Sequence, residues 1–88
     1  MFIASEHEIH DSAKFQACAE RVFPLPTGLH VHHFLPATDL SRAACLYEAP
    51  SVDHLRDYID GTLGDASTQR YLTVDEKHAI GLPGDELA

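Results

Sequence analysis

Seven histidines stand in a chain of 88 residues that has only six lysines and arginines together. Two of them, His30 and His32, lie two positions apart in the run Leu-His-Val-His-His-Phe-Leu, residues 29–35. If this run is a strand, residues two apart project to one face, roughly 6–7 Å from each other along the backbone. Two neutral imidazoles so placed can converge on one divalent transition metal. Nickel, zinc and copper all accept imidazole with a carboxylate as companion. Glu6 supplies a carboxylate for such a site, or for a small ligand bound there, and Tyr47 a hydroxyl donor. The same parts suit another chemistry. A histidine oriented by a carboxylate is a general base, so His32 with Glu6 and Tyr47 also fits a small enzyme that works without a cofactor.

The other histidines have plainer readings. His33 alternates with Val31 and Leu35 and is expected to turn with them toward the helices. His7 and His10 are three apart, which in a strand means opposite faces. His54 and His78 read as solvated. A solvated or interface role competes for His30 and His32 too, because no C-x-x-C or H-E-x-x-H spacing accompanies them. Cys18 and Cys45 read as small buried hydrophobes, since neither has the electropositive setting of a reactive thiol. Arg56, among Asp53, Asp57 and Asp60, reads as a surface ion-pair member. No G-x-S-x-G elbow, G-x-G-x-x-G turn or Walker loop occurs, so no nucleotide cofactor is expected.

The elements that must position these residues follow from periodicity. Phe2 to Ile9 opens with β-favouring residues and reads as a strand. Phe15, Cys18, Ala19 and Val22 fall at i, i+3, i+4 and i+7, one face of a helix capped by Asp11 or Ser12 and ended ahead of Pro24. Leu29 to Leu35 and Ala43 to Glu48 read as strands joined by a loop of hairpin length. Ser51 caps a second helix with Val52, Leu55, Ile59 and Leu63 inward, and Gly64 stops it. Arg70 to Val74 reads as the last strand. The order β-α-β-β-α-β is the split βαβ, or ferredoxin-like, α+β pattern. Right-handed crossovers put both helices on one face of a four-stranded antiparallel sheet. The expected division is a domain over 1–75 and a polar tail over 76–88 without independent structure.

The first strand should then lie between the third and fourth, with the second outside the third. A site joining Glu6 to His32 must cross the third strand near Tyr47 or Glu48. The other sheet face has no helix over it, and on a domain this small it invites a second copy, so a homodimer is expected. Six basic against 14 acidic residues give a formal charge of −8. That balance argues against nucleic acid, which needs clustered Lys and Arg, and against an anionic membrane surface. No apolar run reaches the ~18–20 residues of a membrane span. Two cysteines and no basic, apolar leader fit a reducing cytoplasm.

The stretches Glu6-His7-Glu8-Ile9, Val31-His32-His33-Phe34-Leu35, Ala44 to Pro50 (ACLYEAP) and Val52 to Asp57 (VDHLRD) resemble an uncharacterised family of short bacterial ferredoxin-like proteins. That family carries an E-R-E-I strand, a V-H-x-Y strand, a C-V-Y-x-A-P strand and an I-R-E-H helix, and the likeness covers most of residues 3–75. It implies a dimeric α+β barrel and, because one member is described as nickel-binding, a metal. His32, Glu6, Cys45, Tyr47 and Arg56 match the family's positions. The helix histidine is here Tyr58, the strand-one arginine is His7, and the aromatic before Val31 is His30. These departures direct any metal to His30 or His7 in place of the helix histidine. The resulting expectation is a homodimeric binding protein for a metal ion or small ligand on the open sheet face. A general-base enzyme and a ligand-free structural dimer are the alternatives.

Overall fold

The computed structural model describes residues 1–83. Its elements run β1 (Phe2–Ile9), α1 (Ser12–Glu20), β2 (His30–Pro36), β3 (Arg42–Glu48), α2 (Val52–Leu63), a 3-10 turn over Gly64–Ala66, and β4 (Ser67–Thr73). The sheet order is β2-β3-β1-β4 with every pair antiparallel. This is the ferredoxin-like α+β arrangement. Among the described residues no helix is long and apolar enough to cross a membrane.

Local chemistry accounts for the helix boundaries. Asp11 is extended and its Oδ1 accepts from Lys14 N–H at 3.0 Å, while Ser51 Oγ accepts from His54 N–H at 3.1 Å. Each satisfies an amide that the helix leaves unpaired. Gly64 ends α2 at φ +59°, a conformation that costs glycine little. Leu55, Ile59 and Leu63 form the buried stripe of α2 and pack with Ile3, Phe15, Cys18 and Leu29 in one core between helices and sheet. Polar ties fix the layers. Tyr58 donates to the Val22 carbonyl at 2.6 Å, joining α2 to the end of α1. Tyr71 and the Gln69 amide nitrogen both donate to Asp60 Oδ1, at 2.8 and 2.9 Å, joining α2 to β4.

The strand faces follow strict alternation in β1. Ile3, Ser5 and His7 are buried under the helices, while Glu6 and Glu8 face outward. In β2 the alternation breaks. Val31 pairs with Tyr47, but His33 pairs with Leu46 and Phe34 with Cys45, leaving His32 as the extra residue of a β-bulge. A one-residue insertion reverses every later side chain. Phe34 and Pro36 therefore share the helix side with Cys45 and Ala43. His33 and Leu35, expected beneath the helices, lie on the open face beside Leu46 and Ala44. The last strand starts three residues earlier than its composition suggests, because Ser67 to Gln69 pair with β1 despite weak strand propensity. The tail packs partly: Leu82 is buried and residues 76–78 form a turn. The expectation of an unstructured tail over 84–88 lies outside the described residues.

This register predicts unequal costs. Leu55→Ala and Ile59→Ala, each at a fully buried position, should lower unfolding stability by about 2–5 kcal/mol in urea titration. His33→Ser should stay within about 0.5 kcal/mol of the parent. A core-sized loss at His33 would contradict the bulge.

Candidate functional site

The residues singled out on the open face are not gathered into one site. His32 Nε2 lies 2.9 Å from Glu48 Oε1, and its ring leans on Phe2 at a centroid distance of 5.5 Å. His30 pairs with Glu48 in the β2–β3 ladder. The His32 contact holds the Glu48 carboxyl below its usual range. Glu6 is elsewhere. It stands opposite Ala44, four residues along β3 from Glu48, which is roughly 13 Å at about 3.3 Å per residue. Its carboxylate meets Arg42 at 3.1 Å. Tyr47 is on the other side of the sheet, buried under the helices. It cannot join Glu6 and His32, since neighbours in a strand alternate in face. Among the described residues, no three His, Cys, Asp or Glu side chains are grouped to hold a metal ion. A nickel or zinc ion at His30 and His32 would need donors from a second copy.

The helix side of the sheet holds a different constellation. His7, 1% exposed, lies on the central strand between the inward positions Ser5 and Ile9. Its Nε2 is 3.1 Å from Ser5 Oγ and 3.4 Å from the Tyr47 hydroxyl. Its Nδ1 is buried and has no hydrogen-bond partner. Gln69 is opposite His7 in the β1–β4 ladder, and its side-chain amide also meets Asp60 and Ser67. The nitrogen donates to Asp60, and the oxygen accepts from the Ser67 hydroxyl. Whichever ring nitrogen carries the proton, Nδ1 is left either a donor without an acceptor or an acceptor without a donor. Such a vacancy costs of order 1–3 kcal/mol.

His7 borders a cavity of about 170 Å³ between the sheet and the helices. His7, Tyr47 and Cys45 line its buried side, the floor. The walls are Phe15, Val22, Ile59 and other apolar side chains. Phe23 and Phe34 line it too, and at 59% and 49% exposure they form its mouth. Burial sets the charge of the floor. It lowers the His7 pKa below the ordinary imidazole value, with Gln69 and Asp60 pulling weakly the other way. It raises the Cys45 thiol and the Tyr47 phenol. At neutral pH the floor therefore presents a neutral imidazole, a thiol and a phenol, able to donate or accept hydrogen bonds but carrying no charge. An apolar cavity with a few convergent polar groups is the usual form of a small-molecule site.

Reading the spacing of His30 and His32 missed this site, although β1 carries the signal for it. Glu6 and Glu8 mark the solvent face, so the residue between them must turn inward. Tyr47 and Cys45 share that inner face because they too are two apart.

The neutral state of His7 predicts a pH dependence. Its folded pKa lies below the unfolded value near 6.5, so below pH 6.5 the unfolded chain takes up a proton that the folded chain refuses. The contribution of His7 is whole above pH 6.5 and is lost as the pH falls toward the depressed folded value. The slope is at most about 1.4 kcal/mol per pH unit, the one-proton limit. Urea titrations of the parent and His7→Phe between pH 7.5 and 5 should show the parent losing this extra stability and the variant lacking the loss.

No family model, no curated protein and no solved structure matches this chain, so the functional reading rests on the geometry of the cavity.

Proposed function

We propose that this protein is a small-ligand-binding domain whose ligand enters the cavity between helices and sheet, an uncharged polar group of that ligand meeting His7. The observation that carries the reading is an apolar cavity whose buried side is lined by His7, Cys45 and Tyr47. A few polar side chains at the buried end of an apolar cavity orient a small ligand. The cavity holds about six heavy atoms at roughly 30 Å³ each, the size of one ring. The general-base alternative moves with it: His7, not His32, is the histidine that such a ligand would touch.

Phenol and benzene separate the polar contact from simple burial. Titrations followed by backbone amide shifts should show phenol binding more tightly than benzene by roughly 2- to 12-fold, the range of one net hydrogen bond. His7→Phe, confirmed folded by its amide spectrum, should remove the preference while benzene still binds. Equal binding of the two by the parent sinks the proposal.

The open face supports a second element of the reading, pairing of two copies. It presents Leu35 and Leu72, 62% and 66% exposed, with Leu46 and Phe2 between charged residues of both signs, Glu6 and Glu8 against Arg42 and Arg70. A two-fold axis sets such a surface against itself with opposite charges matched. Glu48 between His30 and His32 favours a shared nickel or zinc ion across that axis, as the donors of one copy are too few. Light scattering should give twice the 9.7 kDa of the chain. If metal bridges the copies, Ni²⁺ should tighten the dimer of the parent and leave His32→Ala unchanged. A monomer at micromolar concentration with and without Ni²⁺ rejects both.

A further inference from the structure

Phe34 stands between two hollows on the helix side of the sheet. It lines the inner cavity and also a second hollow of about 330 Å³ on the outer flank of α1. The bulge at His32 places it there, by turning Phe34 and Pro36 to the helix side. Phe15 and Ala19 of α1 are the other walls common to both hollows. The outer hollow continues past Pro36 and Leu40 and is edged by Gln16 and Glu20, four apart on one flank of α1. The shared side chains thus form a partition with an apolar hollow on each side.

A free ligand of about six heavy atoms fills the inner cavity alone. It leaves Phe23 and Phe34, 59% and 49% exposed, and the whole outer hollow in water. Contiguous exposed apolar surface rimmed by polar residues marks a contact with another protein. We infer that the ring received by the inner cavity is a tyrosine side chain of a basic amphipathic helix, whose second apolar side chain, one turn away, seats in the outer hollow. This rests on the ligand-binding reading above and names the partner, phenol being the tyrosine side chain without its backbone. Side chains three or four apart on a helix lie about 5–6 Å from each other, a spacing that suits two hollows divided by one layer of side chains. A docked helix is favoured over an added strand. The free edge of β2 carries the bulge at His32, and Pro36 has no amide hydrogen, both features that oppose strand pairing. Charge sets the sign of the partner. Glu20 edges the outer hollow and forms no ion pair among the described residues. The basic groups in and just after α1 are engaged elsewhere, Lys14 with Asp65 and Arg21 with the Cys18 sulfur. The chain as a whole carries a formal charge of −8, so lysines on the partner are attracted and carboxylates repelled.

A set of helical peptides built from alanine and lysine tests this on the full chain. Each carries one tyrosine and one leucine, the leucine three or four positions before or after the tyrosine. Titrations are followed by backbone amide shifts. The best of the set should bind at least about tenfold more tightly than its counterpart with alanine for leucine, the effect of burying one leucine side chain. It should also move the amides of Gln16, Glu20 and Leu40, which phenol leaves in place. Glutamates for lysines should weaken it at least about tenfold at low salt. Gln16→Trp, at an exposed helix position that borders the outer hollow and not the inner one, should weaken the best peptide at least tenfold and leave phenol within twofold. Leucine and alanine peptides binding alike across the whole set, glutamate peptides binding as well as lysine peptides, or Gln16→Trp weakening phenol and peptide together or neither, each overturns the inference. The phenol and benzene comparison keeps the two proposals apart. If phenol is preferred and no peptide gains from its leucine, the inner site stands as the place of a free small molecule and the partner helix falls. If phenol and benzene bind equally, the reading above falls and the tyrosine anchor falls with it.

Discussion

The position of β1 is the constraint on which the site depends. β1 has a hydrogen-bonded partner on each side and both helices above it, so Ile3, Ser5 and His7 on its inner face are taken out of water. His7 occupies such a position. An imidazole there cannot keep its charge, because burial penalises the protonated form more than Gln69 and Asp60 favour it. Its Nε2 is held by Ser5 and Tyr47, while Nδ1 has nothing. The result is a neutral ring, hydrogen-bonded at Nε2, on the buried side of an apolar cavity.

The helices cover the sheet unevenly, and that leaves room for the cavity. α2 is anchored to β4 through Asp60, which accepts from both Tyr71 and Gln69. α1 is tied to the 3-10 turn ahead of β4 by the Lys14–Asp65 ion pair, and the residues after it to α2 by the Tyr58 hydroxyl. These ties hold the helices over β1, β3 and β4. Strand β2, at the edge, is left with exposed residues on both faces. The space above its inner face is the mouth of the cavity, where Phe23 and Phe34 stand in contact with solvent. The bulge gives β2 its aromatic lip and at the same time turns His33 and Leu35 outward, so one extra residue shapes both faces of the sheet.

The two faces consequently suit different tasks. The inner one is apolar, uncharged and concave. The outer one is flat and mixes Leu35, Leu46 and Leu72 with alternating charges, and its histidines are spread along β2, not gathered around one point. Glu6 is paired with Arg42, and His32 is hydrogen-bonded to Glu48.

The amino-acid sequence by itself determined the order of elements, both helix caps, the inward stripe of α2 and the place of β1 between β3 and β4. These are decided by residues within a few positions of one another, through periodicity, capping and crossover handedness. It also contained the inward turn of His7, written in the glutamates on either side. Only the tertiary structure decided which face the end of β2 would present. A bulge is a mismatch between two strands and has no pattern in either one alone. Likewise the distance of Glu6 from His32 and the approach of Tyr47 to His7 from 40 residues away depend on cross-strand register. Residue types and spacing marked out histidines; packing selected the one that borders a cavity.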